Sequence, residues 1–311
     1  MNELKIVYMG TPEFSVPALE ELSNNYNVVM VVTQPDKLVG RKKEIIFSPV
    51  KKFALERDIP VFQPEKIRED YKKIIDLNPD LIVTCAYGQI IPKELLNFPK
   101  YGCINIHASL LPEYRGGAPI HKAVMDGKDK TGVTIMYMDE KMDSGDILYQ
   151  EELEITSEDN TSTMFNKLSI LGKKMIGTFI PKLIKGDFTR TPQDESKVTY
   201  AYNISKEDEK LSFSDNSINV FNKIRGLSDL PGAYAFLDNR RVKIFKSRIG
   251  TKVNGKPGEI ISIYDDGIGV MTNDKEIIIT DIQVEGKKRE DVKSYLNGIQ
   301  DKNKLIGKIF N

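Results

Sequence analysis

The run DLIVTCAYG, residues 80–88, is apolar through most of its length. Such a run is typical of a strand in a parallel sheet whose two faces are both covered. On either side of it, short apolar runs alternate with amphipathic stretches. This alternation predicts an α/β fold: a Rossmann-like, mostly parallel sheet with helices on both faces.

The remaining strands and helices of the first half are predicted from the same pattern. Ser48 is expected to cap one helix, with Pro49 at its first position. Helices are predicted over 14–22, 48–59, 69–77 and 161–185. Further strands are predicted at LKIVYMG (4–10), YNVVMVVTQ (26–34), PVFQP (60–64), GCINIH (102–107), TGVTIMYM (131–138) and DILYQEELEI (146–155).

The second half has a different pattern. Residues 186–205 are polar, with few apolar positions, and are typical of an extended linker. One helical stretch and several short strands follow, with Gly and Asp-Gly turn signals between them, as in a small OB-like β-barrel. We therefore expect a first domain over 1–188, a linker over 189–204 and a C-terminal barrel domain over 205–311.

Composition narrows the class of protein. The 45 Lys and Arg residues balance 45 Asp and Glu residues, so a nucleic-acid partner must be met by a local basic surface. The start of the chain has no signal-peptide pattern, and no apolar run approaches the length of a membrane span. Cys85 and Cys103 lie in apolar strand-like runs and are expected to be buried, reduced thiols. With two Cys and two His dispersed along the chain, we expect no metal site, and we expect a cytoplasmic protein.

The densest set of chemically useful residues is NIHASLLPEYRGGAPIH, residues 105–121. Asn105 and His107 are two residues apart at the end of a strand, so their side chains share a face. A carboxamide can donate to a developing oxyanion, and an imidazole can hold or relay a proton. The alternative for His107 is a core histidine satisfied by backbone groups, although burying both polar side chains unpaired would be costly.

Two other positions allow two interpretations each. Asp143, in MDSGD, is either a turn-forming residue or the group that orients His107. Gly10 follows the first strand without the rest of a dinucleotide-binding glycine pattern. It either permits a tight turn or lets the backbone line a ligand crevice at the strand ends.

These residues, together with strings along nearly the whole chain, resemble the folate-dependent formyltransferases, and within them the group that acts on methionyl-tRNA. Tyr114 and His121 stand where many relatives have Trp and Gln; neither departure touches Asn105, His107 or Asp143, and both concern the shape of the rim of the folate pocket. The strings are GTPEFSVPAL, VTQPDKLVGRKK, SPVKKFAL, PVFQPEKI, AYGQIIP, SLLPEYRGGAP, MDSGD, IRGLSDLPGAYAFL and QVEGKKRE.

The resemblance implies a reaction and a set of site residues. The catalytic triad would be Asn105, His107 and Asp143, with the folate bound along Ser109, Leu110, Leu111 and Pro112. The formyl donor would be 10-formyltetrahydrofolate, and the acceptor would be the α-amino group of methionyl initiator tRNA. The reaction would proceed by direct amine attack, without a covalent enzyme intermediate or a metal.

Two basic regions could meet the tRNA. Residues 35–52 include Arg41, Lys42 and Lys43, and the resemblance implies that this loop enters the acceptor end. In the strand 241–249, alternation places Arg241, Lys243, Phe245 and Ser247 on one face, with Lys246 nearby. Without the resemblance, solvated charged surface is the alternative interpretation of both regions, and for residues 35–52 it is the commoner outcome of such a run. The expected tRNA-binding residues are Arg41, Lys42, Lys43, Arg241, Lys243 and Lys246.

Two other functions fit parts of the sequence. One is formyl transfer to a small amine such as an amino sugar, which would need neither the basic loop nor the second domain. The other is a non-catalytic nucleic-acid-binding protein, which the complete Asn105, His107 and Asp143 set disfavours. We expect a monomer that binds folate and tRNA and contacts no membrane.

Overall fold

The computed structural model describes residues 2–39 and 44–311. The chain divides into two compact units, which we call the N-terminal unit and the C-terminal unit. The N-terminal unit contains the chain up to Pro119, Thr131–Glu154 and Phe165–Tyr202. The C-terminal unit contains Ile120–Lys130, Ile155–Met164 and Asn203–Asn311.

Strands and helices alternate through the first half, as the sequence predicts. The described elements are β1 (Asn2–Gly10), α1 (Val16–Asn25), β2 (Tyr26–Val32), β3 (Lys37–Val39), β4 (Glu44–Ile46), α2 (Pro49–Leu55), β5 (Val61–Phe62), α3 (Lys72–Asp76), β6 (Leu81–Cys85), α4 (Lys93–Leu96), β7 (Cys103–His107), α5 (Pro119–Met125), β8 (Lys130–Tyr137), β9 (Ile147–Glu154) and α6 (Thr161–Lys185).

The main sheet of the N-terminal unit has the strand order β5-β2-β1-β6-β7-β8-β9. The strands from β5 to β7 are parallel, and β8 runs antiparallel to β7. Every residue of β6 is buried, because a central parallel strand is covered on both faces. The chain leaves β1 toward β2 but returns on its other side at β6, so the strand order reverses between β1 and β6. Ligands bind at such switch points, beside the carboxyl ends of the strands. The predicted Rossmann-like sheet is confirmed.

Local signals place the helix boundaries. The Ser48 side chain accepts a hydrogen bond from the backbone N–H of Lys51, so the predicted cap of α2 is confirmed. Pro49 opens that helix, where its missing N–H has no helical partner to lose. The helix α6 spans Thr161–Lys185, the residues predicted for it. By contrast, α3 covers only Lys72–Asp76, a shorter span than the pattern predicts.

The C-terminal unit contains a six-stranded antiparallel sheet among the described residues, ordered β10-β11-β14-β13-β12, with β15 on β14. Ile309 forms a bridge with Glu259 just before β12, and Phe310 forms one with Leu237 at the end of β10. These bridges link the two edges of the sheet, as in a small barrel. The elements are α7 (Lys206–Glu209), α8 (Ser217–Leu227), β10 (Ala233–Leu237), β11 (Arg240–Ile249), β12 (Ile260–Ile263), β13 (Ile268–Met271), β14 (Glu276–Val284), β15 (Glu290–Asp291) and α9 (Val292–Asn297).

The strict alternation predicted along β11 is wrong beyond Ile244. In the register with β14, Ile244 pairs with Ile282 and Lys246 pairs with Asp281, which leaves Phe245 as an extra residue in a bulge. Ile244 and Phe245 are therefore both buried, although they are neighbours in the chain. The single face predicted from Arg241 to Ser247 is broken at the bulge.

None of the described helices combines the length and the apolar composition that a membrane-spanning helix needs. Across residues 2–39 and 44–311, no three His, Cys, Asp or Glu side chains are grouped so that they could hold a metal ion.

The two thiols lie on adjacent strands of the main sheet, Cys85 on β6 and Cys103 on β7, and both are buried. Burial raises the pKa of Cys85 to about 12 and raises that of Cys103 as well. A raised thiol pKa removes the reactive thiolate near pH 8. We predict that Ellman's reagent at pH 8 detects no thiol in the folded protein and both thiols in guanidinium. Rapid reaction of one thiol in the folded protein would contradict this packing.

Candidate active site

Asn105 and His107 lie at the carboxyl end of β7, which pairs with β6, one of the two strands that flank the switch point. The Asn105 Oδ1 atom accepts a hydrogen bond of 2.9 Å from the hydroxyl of Thr84, its register partner on β6. This bond orients the carboxamide and directs its N–H group away from Thr84. Within the described part of the chain, the Nδ2 atom of Asn105 has no partner, so it can donate to a bound group.

His107 is buried, and both of its ring nitrogens face polar groups. Its Nε2 atom lies 3.0 Å from the carbonyl oxygen of Tyr114. Because a carbonyl can only accept, Nε2 must carry the hydrogen in this contact. The Nδ1 atom lies 3.7 Å from a carboxylate oxygen of Asp143. In the neutral ring Nδ1 is therefore the nitrogen that accepts a proton.

Asp143 lies in the loop between β8 and β9 and has a φ of 49°. Its Oδ2 atom accepts a hydrogen bond of 2.8 Å from the backbone N–H of Gly116. The same oxygen faces His107, so Asp143 is a turn residue whose carboxylate also approaches the imidazole. At 3.7 Å this approach is an ion-pair distance rather than a direct hydrogen bond.

The loop after β7 is held by polar bonds of its own. The Ser109 hydroxyl donates to the carbonyl of Glu113, and the Ser109 carbonyl accepts from the Thr134 hydroxyl. Leu111 is buried, and its N–H donates to the Thr134 hydroxyl oxygen. Leu110 and Pro112 are half-buried. Of the run predicted to bind folate, these two offer accessible apolar surface.

The loops that follow β1 and β6 are tied together near this edge. The Thr11 hydroxyl and the Gln34 side-chain amide both donate to the carbonyl of Tyr87, at 3.1 and 3.0 Å. The Ser15 hydroxyl donates to the carbonyl of Cys85. A Cβ atom at Gly10 would lie 2.9 Å from the Ser15 Cβ atom and 3.0 Å from that carbonyl oxygen, so the packing at the end of β1 requires glycine.

Sequence reasoning missed several residues of this site. Thr84 orients Asn105 from the neighbouring strand. Gln193, in the segment predicted as a linker, contacts both the buried side chain of Arg115 and the Asp143 loop. Arg115 lies in a string that carries the family resemblance, which is a usable signal. Gln193 has no such signal, since it stands in a polar run.

The predicted tRNA-binding residues are only partly described. Arg41, Lys42 and Lys43 lie outside the described residues. Arg241 and Lys246 are exposed on β11, whereas the Lys243 Nζ atom donates to the carbonyl of Pro231.

The two departures from the family pattern occupy different places. Tyr114 is buried and contributes the carbonyl that faces His107. His121 lies in the C-terminal unit, where its Nε2 atom is 3.2 Å from the carbonyl of Leu230. Burial lowers the pKa of His121.

An open α/β sheet with a carboxamide, an imidazole and a carboxylate at its carboxyl edge suits transfer of an acyl group to an amine. Residues 4–180 match the family model described as formyl transferase, and residues 203–300 match the model of its C-terminal domain. The chain therefore belongs to the formyltransferase family, as the sequence predicts.

Its relatives include methionyl-tRNA formyltransferases. The protein of that name from Listeria monocytogenes is 52% identical over 298 residues, which cover 94% of this chain and 95% of the relative. The one from Bacillus cytotoxicus is 52% identical over 300 residues, covering 95% and 96%. The one from Malacoplasma penetrans is 49% identical over 296 residues, covering 94% and 93%.

Solved structures support the fold. A sugar 3N-formyltransferase, crystallised with dTDP and 5-N-formyl-THF, has a TM-score of 0.67 and 21% identity, over 93% of this chain and all of that chain. An N-formyltransferase from Helicobacter canadensis, in complex with folinic acid and dTDP-3-aminofucose, has a TM-score of 0.68 and 18% identity, over 92% of this chain and all of that one.

Proposed function

We propose that this protein transfers the formyl group of 10-formyltetrahydrofolate to the α-amino group of methionyl initiator tRNA. The observation that carries this proposal is the convergence of Asn105, His107 and Asp143 at one edge of the sheet. The close relatives named methionyl-tRNA formyltransferase support the choice of acceptor.

The proposed reaction is direct attack of the amine on the formyl carbon. An α-amino group has a reference pKa of about 7.7–8.0, so the neutral amine is available near neutral pH. As the new C–N bond forms, negative charge develops on the formyl oxygen. The N–H group of Asn105 that has no partner in the described chain would donate to this oxygen. The bond from the formyl carbon to N10 then breaks, and N10 takes a proton.

His107 is proposed to move that proton. Its Nε2–H group is engaged by the Tyr114 carbonyl, so Nδ1 remains to accept a proton from the attacking amine and return it to the leaving nitrogen. The Asp143 carboxylate, 3.7 Å from Nδ1, would stabilise the imidazolium in between. The proton returns to the substrate, so His107 ends as it began.

We propose that the folate lies along Ser109–Pro112. The half-buried Leu110 and Pro112 would contact its ring system, while Ser109 and Leu111 hold the loop through Glu113 and Thr134. A loop fixed by bonds of its own is preorganised, which suits a site that must hold a formyl group beside Asn105.

We further propose residues 1–188 as the catalytic domain, 189–204 as a connecting segment and 205–311 as a tRNA-binding domain. The exposed Arg241 and Lys246 on β11 would contact phosphates, with Lys243 nearby. Arg41, Lys42 and Lys43 would reach the acceptor end. The protein would act as a cytoplasmic monomer.

The identity of the acceptor distinguishes the proposed function from formyl transfer to a small amine. Purified protein would be incubated with 10-formyltetrahydrofolate labelled with ¹⁴C in the formyl group. Three acceptors would be compared: methionyl initiator tRNA, free methionine and an amino sugar nucleotide. We expect label in the tRNA alone. Label only in the amino sugar would support the alternative, and label in none of them would refute both enzyme functions.

A further inference from the structure

Gln193 joins the two loops that face His107. Its Nε2 atom donates to the backbone carbonyls of Asp143 and Gly145, at 2.8 Å each. Its Oε1 atom accepts from the Nε and Nη2 atoms of Arg115, at 3.0 and 2.9 Å. The side chain therefore uses both ends of its amide, one on each loop.

Together with one bond from Gly116, these bonds link Gln193, Arg115 and Asp143 in a closed cycle that includes the Asp143 carboxylate. Arg115 is followed by Gly116, whose N–H donates to Asp143 Oδ2. Gly116 has a φ of 122°, and a Cβ atom there would lie 2.7 Å from the carbonyl oxygen of Ala201, so this turn requires glycine. The Gly116 N–H thus holds the carboxylate of Asp143, and Gln193 holds the backbone of the same residue.

The same segment also holds the other contact of His107. The Thr199 hydroxyl accepts from the N–H of Tyr114, whose carbonyl faces His107 Nε2. Arg115 donates its N–H to the Thr199 carbonyl and accepts from the N–H of Ala201. Gln193, Thr199 and Ala201 therefore brace the groups on both sides of the imidazole.

We propose that Gln193 is a positioning residue for formyl transfer, which fixes the Asp143 carboxylate against His107 through its bonds to the Asp143 loop. The expected change in kcat rests on the proposed function, whereas the positioning of Asp143 does not. Misplacement of a reacting group by about 1 Å can cost roughly 100-fold in rate. We expect Gln193→Ala to lower kcat by about tenfold to 100-fold, with little change in the KM for the folate.

Two variants distinguish the effect of the bonds to the Asp143 loop from the effect of the bonds to Arg115. Gln193→Glu retains an acceptor for Arg115 but replaces the amide donor of two carbonyls, so it should be at least as impaired as Gln193→Ala. Glu195→Ala is the matched control. Glu195 lies in the same segment and pairs with Arg115 Nη2 at 2.8 Å, but its side chain is 73% exposed. We expect Glu195→Ala to turn over like the wild type.

A double-mutant comparison distinguishes positioning from a general structural role. If Gln193 acts through Asp143, adding Gln193→Ala to Asp143→Asn should lower kcat less than about threefold further, because effects within one unit are not additive. If the losses instead multiply, Gln193 acts independently of Asp143 and the proposal is overturned. Wild-type kcat in Gln193→Ala alone would also overturn the proposal.

A spectroscopic measurement keeps the inference separate from the identity of the acceptor. The chain has two histidines, so ¹³C-histidine labelling gives ring signals of His107 and His121 only. Gln193→Ala should move the His107 signal and leave that of His121 in place, and Glu195→Ala should move neither. If the wild type formylates no tRNA but this pattern holds, the proposed function fails and the positioning role stands. An unmoved His107 signal in Gln193→Ala overturns the positioning role.

Discussion

Replacing Asn105 with alanine is expected to lower kcat for formyl transfer by about 10²–10³, the usual loss when one oxyanion donor is removed. The fold should survive, since Asn105 is only half-buried and the Thr84 hydroxyl has the Ile104 carbonyl as an alternative acceptor at 3.2 Å. The measurement is kcat under saturating folate and tRNA, with circular dichroism to verify folding.

Asn105→Asp makes this test sharper because it keeps the shape of the side chain. The Thr84 hydroxyl can still donate to the new carboxylate, but the N–H donor is lost. A negative charge would also stand where the oxyanion develops, so we expect a loss at least as large as for alanine. If Asn105→Asp retained activity within about threefold of the wild type, the oxyanion role of Asn105 would be wrong.

The second large effect is expected for His107→Ala, which removes the proposed proton carrier. General acid–base groups contribute about 10²–10⁴ in rate, so kcat should fall by that factor. The hydrogen bond between the His107 ring and the Tyr114 carbonyl would be lost, which costs about 0.5–1.5 kcal/mol of stability. Added imidazole should therefore restore part of the turnover by filling the vacated space.

The matched control is His121→Ala, the other histidine of the chain, which lies in the C-terminal unit. It should turn over without needing imidazole. Full activity of His107→Ala in the absence of imidazole would remove His107 from the mechanism. A loss in both variants that imidazole does not relieve would indicate unfolding, which circular dichroism would detect.

Local sequence signals were sufficient to predict the strands of the main sheet. Apolar runs such as 80–88 mark strands because both faces of the parallel sheet are covered, and the α/β prediction is confirmed. Alternation also predicts that Asn105 and His107 share a face, since side chains two apart on a strand point the same way. Both inferences depend only on neighbouring residues.

Contacts between distant residues could not be read from the sequence. His107 and Asp143 are separated in the chain by α5 and β8, and the loop that follows β8 brings the Asp143 carboxylate to His107. Gln193 stands in a polar run, where nothing marks it as different from a solvated side chain. The bulge at Phe245 depends on the register with β14, which the pattern of one strand does not contain.

A crystal structure of the protein with 5-formyltetrahydrofolate, a formyl folate that serves as an unreactive stand-in for the donor, tests the central claim most directly. We predict that its formyl group lies at the carboxyl edge of β7. The formyl oxygen should be about 3 Å from Asn105 Nδ2, a normal hydrogen-bond distance, with His107 Nδ1 facing the same group. A folate bound away from this edge, or a formyl group out of reach of both side chains, would contradict the account.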